Sequence, residues 1–154
     1  MPYADWAAVS HALSSALGQL PDGECVILGE PPCVPAPRRG LFGRAPKVAP
    51  ARYVQALRLE EVVSGECVGA TSFGGTWEMS DATIAQLRGL GWLTPAESHH
   101  AYGHGTPNFG LYVDPSDAPG LADLMTASLE ILGAHPATLV LQRSAPYRLP
   151  LVEE

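Results

Sequence analysis

Residues 52–70 read RYVQALRLEEVVSGECVGA, and this stretch decides the fold. In its first part, 52–59, Tyr53, Leu57 and Leu59 fall on one face, with Gln55 among them. Arg52, Val54, Ala56 and Arg58 fall on the other. Successive side chains of a strand point to opposite sides, so this alternation predicts a strand. A second strand follows at 62–70, near enough to pair with the first as an antiparallel hairpin. The turn falls either at Glu60-Glu61 or at Ser64-Gly65. Beyond it, 71–75 is a glycine-rich break.

Upstream of this hairpin, Trp6, Val9, Leu13, Ala16, Leu17 and Leu20 recur at helical spacing behind Asp5, a side chain suited to capping. Pro21-Asp22-Gly23 forces a turn, and residues 24–28 are a short, mostly apolar run that reads as a strand. Downstream, Ser80 opens a second helix with Ile84, Leu87 and Leu90 as its buried stripe. Gly91 suits the residue after that helix, Trp92 folds back on its last turn, and Pro95 prevents continuation. Residues 97–108 read as a loop carrying His99, His100 and His104. A strand follows at 109–113, ended by Asp114-Pro115. A third helix runs from about Asp117, with Pro119 in its first turn and Leu121, Leu124, Met125, Ser128, Leu129 and Leu132 on one face. Gly133 ends it, and 137–143 is a last strand. The expected fold is therefore α+β: an antiparallel sheet with about three helices packed against it, in a single domain spanning 1–154.

Composition bounds the function. The chain has 154 residues, 46% of them hydrophobic and 16% charged, which suffices for a real core. The net charge is −7, which argues against nucleic-acid binding. That charge is unevenly placed. Residues 31–50 hold six prolines, four basic residues (Arg38, Arg39, Arg44, Lys47) and no acidic one, and read as a long surface loop. Residues 59–134 hold ten acidic residues against Arg88 alone. The tail, 144–154, ends in two glutamates. No apolar run approaches the roughly 18–20 residues a membrane span needs. Residues 1–20 lack the basic start of a secretory signal, and three cysteines (Cys25, Cys33, Cys67) are too few for a disulfide scaffold. A cytoplasmic protein with free thiols is the expectation.

Chemistry-bearing motifs are weak. His99, His100 and His104 with the cysteines are metal-ligand types, but they have no metal-site spacing, so no metal and no cofactor is expected. Cys67 lies inside an apolar strand, where a thiol is ordinarily structural. The glycines of 69–75 match neither a phosphate loop nor a dinucleotide fingerprint. Aromatic residues offer more. Trp92 reads as core. Tyr53, Phe73, Trp77 and Phe109 read as candidate anchors for a bound peptide, with Gln55 as a contact to its backbone.

The stretch 52–140 resembles a known family, the actinobacterial domains similar to type III secretion chaperones and YbjN-like proteins, termed TY-Chap peptide-binding domains. The resemblance rests on Tyr53-Val54-Gln55, Glu66-Cys67-Val68-Gly69, Met79-Ser80, Leu90-Gly91-Trp92 with Pro95, Pro107-Asn108-Phe109 and the apolar helix at 121–132. The glycine-rich 72–76 and the proline-rich 31–50 depart from it. The resemblance implies a secretion-chaperone-like α+β fold whose sheet edge or groove holds a peptide, pairing as a homodimer, and no catalysis. The leading expectation is a non-enzymatic module that binds a peptide or protein partner. The alternative is an immunity-like or accessory subunit that recognises one folded partner, and a small-molecule or metal-dependent enzyme is the third class.

Overall fold

The computed structural model describes residues 2–31 and 50–144. The readings made for the proline-rich loop, for Cys33 and for the C-terminal tail lie outside the described residues. Five antiparallel strands form one sheet: β1 (Cys25–Gly29), β2 (Tyr53–Leu59), β3 (Val62–Cys67), β4 (Phe109–Val113) and β5 (Val140–Ser144), in the order β4-β3-β2-β1-β5. Leu59 pairs with Val62, so the hairpin turns at Glu60-Glu61 and not at Ser64-Gly65. Glu60 takes a positive φ of 24° there, and its amide donates to the Asp22 carboxylate.

Alternation along each strand gives the sheet two unlike faces. Val26, Leu28, Val54, Ala56, Val63, Cys67 and Phe109 point one way and are buried. Helices α1 (Trp6–Gly18) and α4 (Ala118–Ile131) pack against each other over that face and supply Val9, Leu13, Leu17, Leu121, Met125 and Leu129 to the core. Asp5 caps α1 by accepting from the Ala8 amide at 2.8 Å. The opposite face carries Ile27, Tyr53, Gln55, Leu57, Ser64 and Glu66, partly exposed. The hairpin pattern at 52–59 is thus a true two-sided strand.

Four α-helices stand where the sequence predicts about three. The additional one, α3 (Pro95–Tyr102), occupies part of the expected loop at 97–108. Pro95 starts this helix instead of merely ending the previous one. Thr94 accepts from the Glu97 amide, Glu97 reaches back to the Thr94 amide, and Pro95 sits where its missing N–H costs nothing. Helix α2 (Asp81–Leu90) is capped by Ser80 as expected, but only its Leu87 is fully buried; Leu90 is 37% exposed. Trp92 takes the place expected of Leu90: it is buried, and its indole N–H donates to Ser128 Oγ at 2.7 Å. The last strand starts later than expected, because Pro136–Thr138 form a 3-10 turn capped by His135.

The two edges of the sheet differ. On β4 the Gly110 amide and carbonyl pair with Leu93, and the Tyr112 amide donates to the Tyr102 hydroxyl. Among the described residues, no strand pairs with the outer edge of β5.

Two predictions follow from this packing. Ser128→Ala strands a buried indole N–H and lowers stability by about 1–3 kcal/mol, read from urea unfolding at constant m. The second concerns the exposed α2–α3 clamp, where Arg88 bonds Glu97 through two nitrogens at 3.0 and 3.1 Å. That bond and the Thr94 amide hold the Glu97 carboxyl down to about 2. A depressed folded value means the clamp is intact above the ordinary carboxylate range and is lost as pH falls from about 4.5 toward about 2. Carboxyl carbon shifts of Glu97 should titrate in that lower window, and Arg88→Ala should move them up toward the ordinary one but short of it, because the Thr94 amide still donates to the carboxylate.

Candidate functional site

On the face opposite α1 and α4, the described residues leave a concavity of about 300 Å³ at the β5 end of the sheet, and this face is open among them except where α3 covers part of β4. Ile27 and Gly29 come from β1, Tyr53 and Gln55 from β2, and Val140 and Gln142 from β5. Cross-strand register brings these together: Ile27 pairs with Gln55 on one side and Gln142 on the other, and Gly29 pairs with Tyr53 and Val140. The floor is mainly apolar, and the rim adds Glu30, Pro31, Ala51 and Thr76. At Gly29 a Cβ would lie 2.6 Å from the Tyr53 Cβ, so a side chain there would push Tyr53 out of place. Val140, 42% exposed, presents an apolar side chain at the mouth.

The rim is fixed by charge. Arg52 donates to Glu30 at 2.7 Å, and its Nε donates to the Leu132 carbonyl at 2.8 Å. Its guanidinium also lies 4.4 Å from the centre of the Trp77 ring. Both side chains of this ion pair are about three-quarters covered, so a cation–π contact and a charge-assisted pair act together in a partly dry setting.

A polar network runs from the cavity toward β4. Gln55 donates to the Glu66 carboxylate, which also accepts from the Thr106 hydroxyl at 2.6 Å. Asn108 donates to the Tyr53 hydroxyl at 3.2 Å and accepts from the Gly69 amide at 2.9 Å. Burial raises the Tyr53 phenol above its ordinary value. Gly69 itself passes so close to Pro107 that a Cβ would lie 1.8 Å from the Pro107 carbonyl oxygen. Gly75 folds as tightly back on Gly69, which accounts for the glycines of 69–75 without any phosphate.

The residues singled out from the sequence divide. Tyr53 and Gln55 line the cavity. Phe109 is 0% exposed and faces the core, where Phe73 meets it edge-on with ring centres 5.5 Å apart. Phe73 and Trp77 are half-buried against the core, and neither lines the cavity. Ile27, Val140 and Gln142 escape sequence reasoning because each strand is unremarkable alone; only the register β2-β1-β5 makes a cavity of them.

His99 and His100 are exposed on α3, and His104 is hydrogen-bonded to the Tyr112 hydroxyl at 3.1 Å. Among the described residues, no group of three or more His, Cys, Asp or Glu could hold a metal ion. Burial pushes the Cys67 thiol up to about 12, opposite to what a thiolate nucleophile requires. Among the described residues, no helix is long and apolar enough to cross a membrane.

The α+β fold thus combines an antiparallel sheet covered on one face by α1 and α4, an edge at β4 that Leu93 and Tyr102 close, and, among the described residues, an unpaired edge at β5 beside an apolar hollow. The family described as TY-Chap3, T3SS (YopN, CesT) and YbjN peptide-binding chaperone 3, matches residues 2–145, and the chain belongs to it. The match extends past the 52–140 that carry the sequence resemblance, taking in α1 and β1. No curated protein and no solved structure matches the chain.

Asn108→Ala removes the acceptor of the Gly69 amide and the partner of the Tyr53 hydroxyl. Stability should fall by about 1–3 kcal/mol, with faster hydrogen exchange at the Gly69 amide. Were exchange there unchanged, the Asn108 bridge would not be what holds this corner.

Proposed function

We propose that this protein is a non-enzymatic, chaperone-like binder of extended polypeptide. A segment of the bound chain lies along β5, and one of its apolar side chains enters the cavity over Ile27, Tyr53 and Val140. The observation that carries this reading is the coincidence of a strand edge unpaired among the described residues with an apolar hollow on the same strand. Added strands gain affinity from main-chain hydrogen bonds and selectivity from pockets that take alternate side chains. Gln55 and Gln142, at the two sides of Ile27, supply amide groups for the peptide backbone. Membership in a peptide-binding chaperone family supports the same reading.

Recognition of one large folded partner is less well supported. Such interfaces cover about 800 Å² per partner around a packed apolar centre. Among the described residues the exposed large apolar side chains are Leu59, Leu90 and Val140. Leu59 lies at the β2–β3 turn, Leu90 at the end of α2 and Val140 at the β5 edge, so they form no single patch.

Val140→Asp tests the reading. It places a carboxylate at the cavity mouth on an edge strand, away from the core. Affinity for peptides selected from a displayed library should drop at least tenfold by fluorescence anisotropy, while Tm moves by only a few degrees. Unaltered affinity would remove the cavity from the binding site.

A further inference from the structure

The uncovered face holds a second hollow, a polar cleft of about 70 Å³ between α3 and strands β3 and β4. Ser98 of α3 lines it. That residue is 5% exposed, and its hydroxyl is the one buried side-chain polar atom among the described residues that has no hydrogen-bond partner. The space exists because Gly110 lacks a side chain: a Cβ there would come within 3.3 Å of Ser98 Oγ. Directly across from Gly110 in the β3–β4 register stands Glu66, the only Asp, Glu, Lys or Arg lining the cleft. Gln55 and Thr106 each occupy one site on its carboxylate, which leaves about two of its four acceptor positions open. The cleft therefore joins an unbalanced negative charge to an unused buried hydroxyl. A group rich in N–H donors and positively charged satisfies both; an anion accepts from the hydroxyl but is repelled by the carboxylate, and an apolar group satisfies neither.

We propose that this cleft is a subsite for a basic side chain, lysine or arginine, of the polypeptide bound at the β5 cavity. The proposal rests on the peptide-binding reading and adds a specificity to it. The cavity is centred on β1 and the cleft lies between β3 and β4. A chain paired on the outer edge of β5 lies about four and a half strand spacings from the cleft, roughly 22 Å at about 4.8 Å each, so beyond β5 it turns off the edge and crosses the sheet face, which takes about seven residues. The acidic stretch 59–134 that surrounds Glu66 favours the same sign of partner.

Selection of a random displayed peptide library on the full chain, in parallel with its Glu66→Gln variant, tests the subsite. Gln55 and Thr106 donate to different oxygens of Glu66, so the variant removes the charge and keeps one of the two acceptors, while the Thr106 hydroxyl can turn to accept from the new N–H2. The wild-type pool should concentrate Lys or Arg at one preferred spacing, about seven residues, from an apolar residue. The Glu66→Gln pool should keep the apolar preference and lose the basic one. A selected peptide whose basic residue is replaced by Met should bind the wild type at least tenfold more weakly and the variant no differently. Should Glu66→Gln fail to fold by circular dichroism, Ser98→Ala takes its place, with a loss of a few-fold expected for the same peptide. A pool with the apolar preference alone, or a basic preference that survives both variants, overturns the subsite and leaves peptide binding standing. A wild-type pool with no enrichment overturns the peptide-binding reading and the subsite together.

Discussion

The corner where Gly69 meets Pro107 and Asn108 is the constraint on which the rest depends. Two backbones approach there more closely than any residue with a Cβ permits, and Asn108 fastens them by accepting from the Gly69 amide. The same side chain reaches Tyr53, so the exit of β3, the start of β4 and the middle of the uncovered face are set by one amide group. The tight return of Gly75 onto Gly69 then places Trp77, whose ring supports the Arg52 guanidinium and through it the Glu30 rim of the cavity. A binding surface that looks like an open sheet is in this way tied to a buried backbone junction.

Much of the fold is legible in the sequence because local rules act alone there. The alternation at 52–59, the Asp5 and Ser80 caps and the long apolar stripe of α4 each encode their element within a dozen residues. Where two local rules compete, the reading fails. Pro95 stops a helix and also starts one, and the Thr94…Glu97 capping box, visible in the sequence, decides for the latter. Leu90 matches the α2 stripe by spacing, yet the turn at Gly91 brings Trp92 into the core in its stead. The candidate site is legible only in part for a different reason. Tyr53 and Gln55 reveal themselves by facing away from Val54 and Ala56. Ile27 joins them through the β1–β2 pairing, and Val140 only through the β1–β5 pairing, which spans more than a hundred residues of chain.

Charge follows the same division between what is local and what is assembled. The sequence shows an acidic body but not where its charge matters. Most of the acidic residues face water, and Glu97 is matched by Arg88. Glu66 stands apart, held on the sheet face by Gln55 and Thr106 beside a hydroxyl that has no partner. Two hollows with opposite character, one greasy and one polar, thus share a single surface and a single hydrogen-bond network between them.

The two sheet edges carry a final consequence. Leu93 and the Tyr102 hydroxyl consume the outward amides of β4, whereas the described outer edge of β5 is unpaired. A sheet that can be extended at both sides is a link, and links form fibres. A sheet that can be extended at one side is a terminus: copies joined edge to edge stop at a pair. Such geometry, in the described residues, bounds edge-to-edge joining at two copies, so that strand pairing and runaway assembly are separated by the architecture itself.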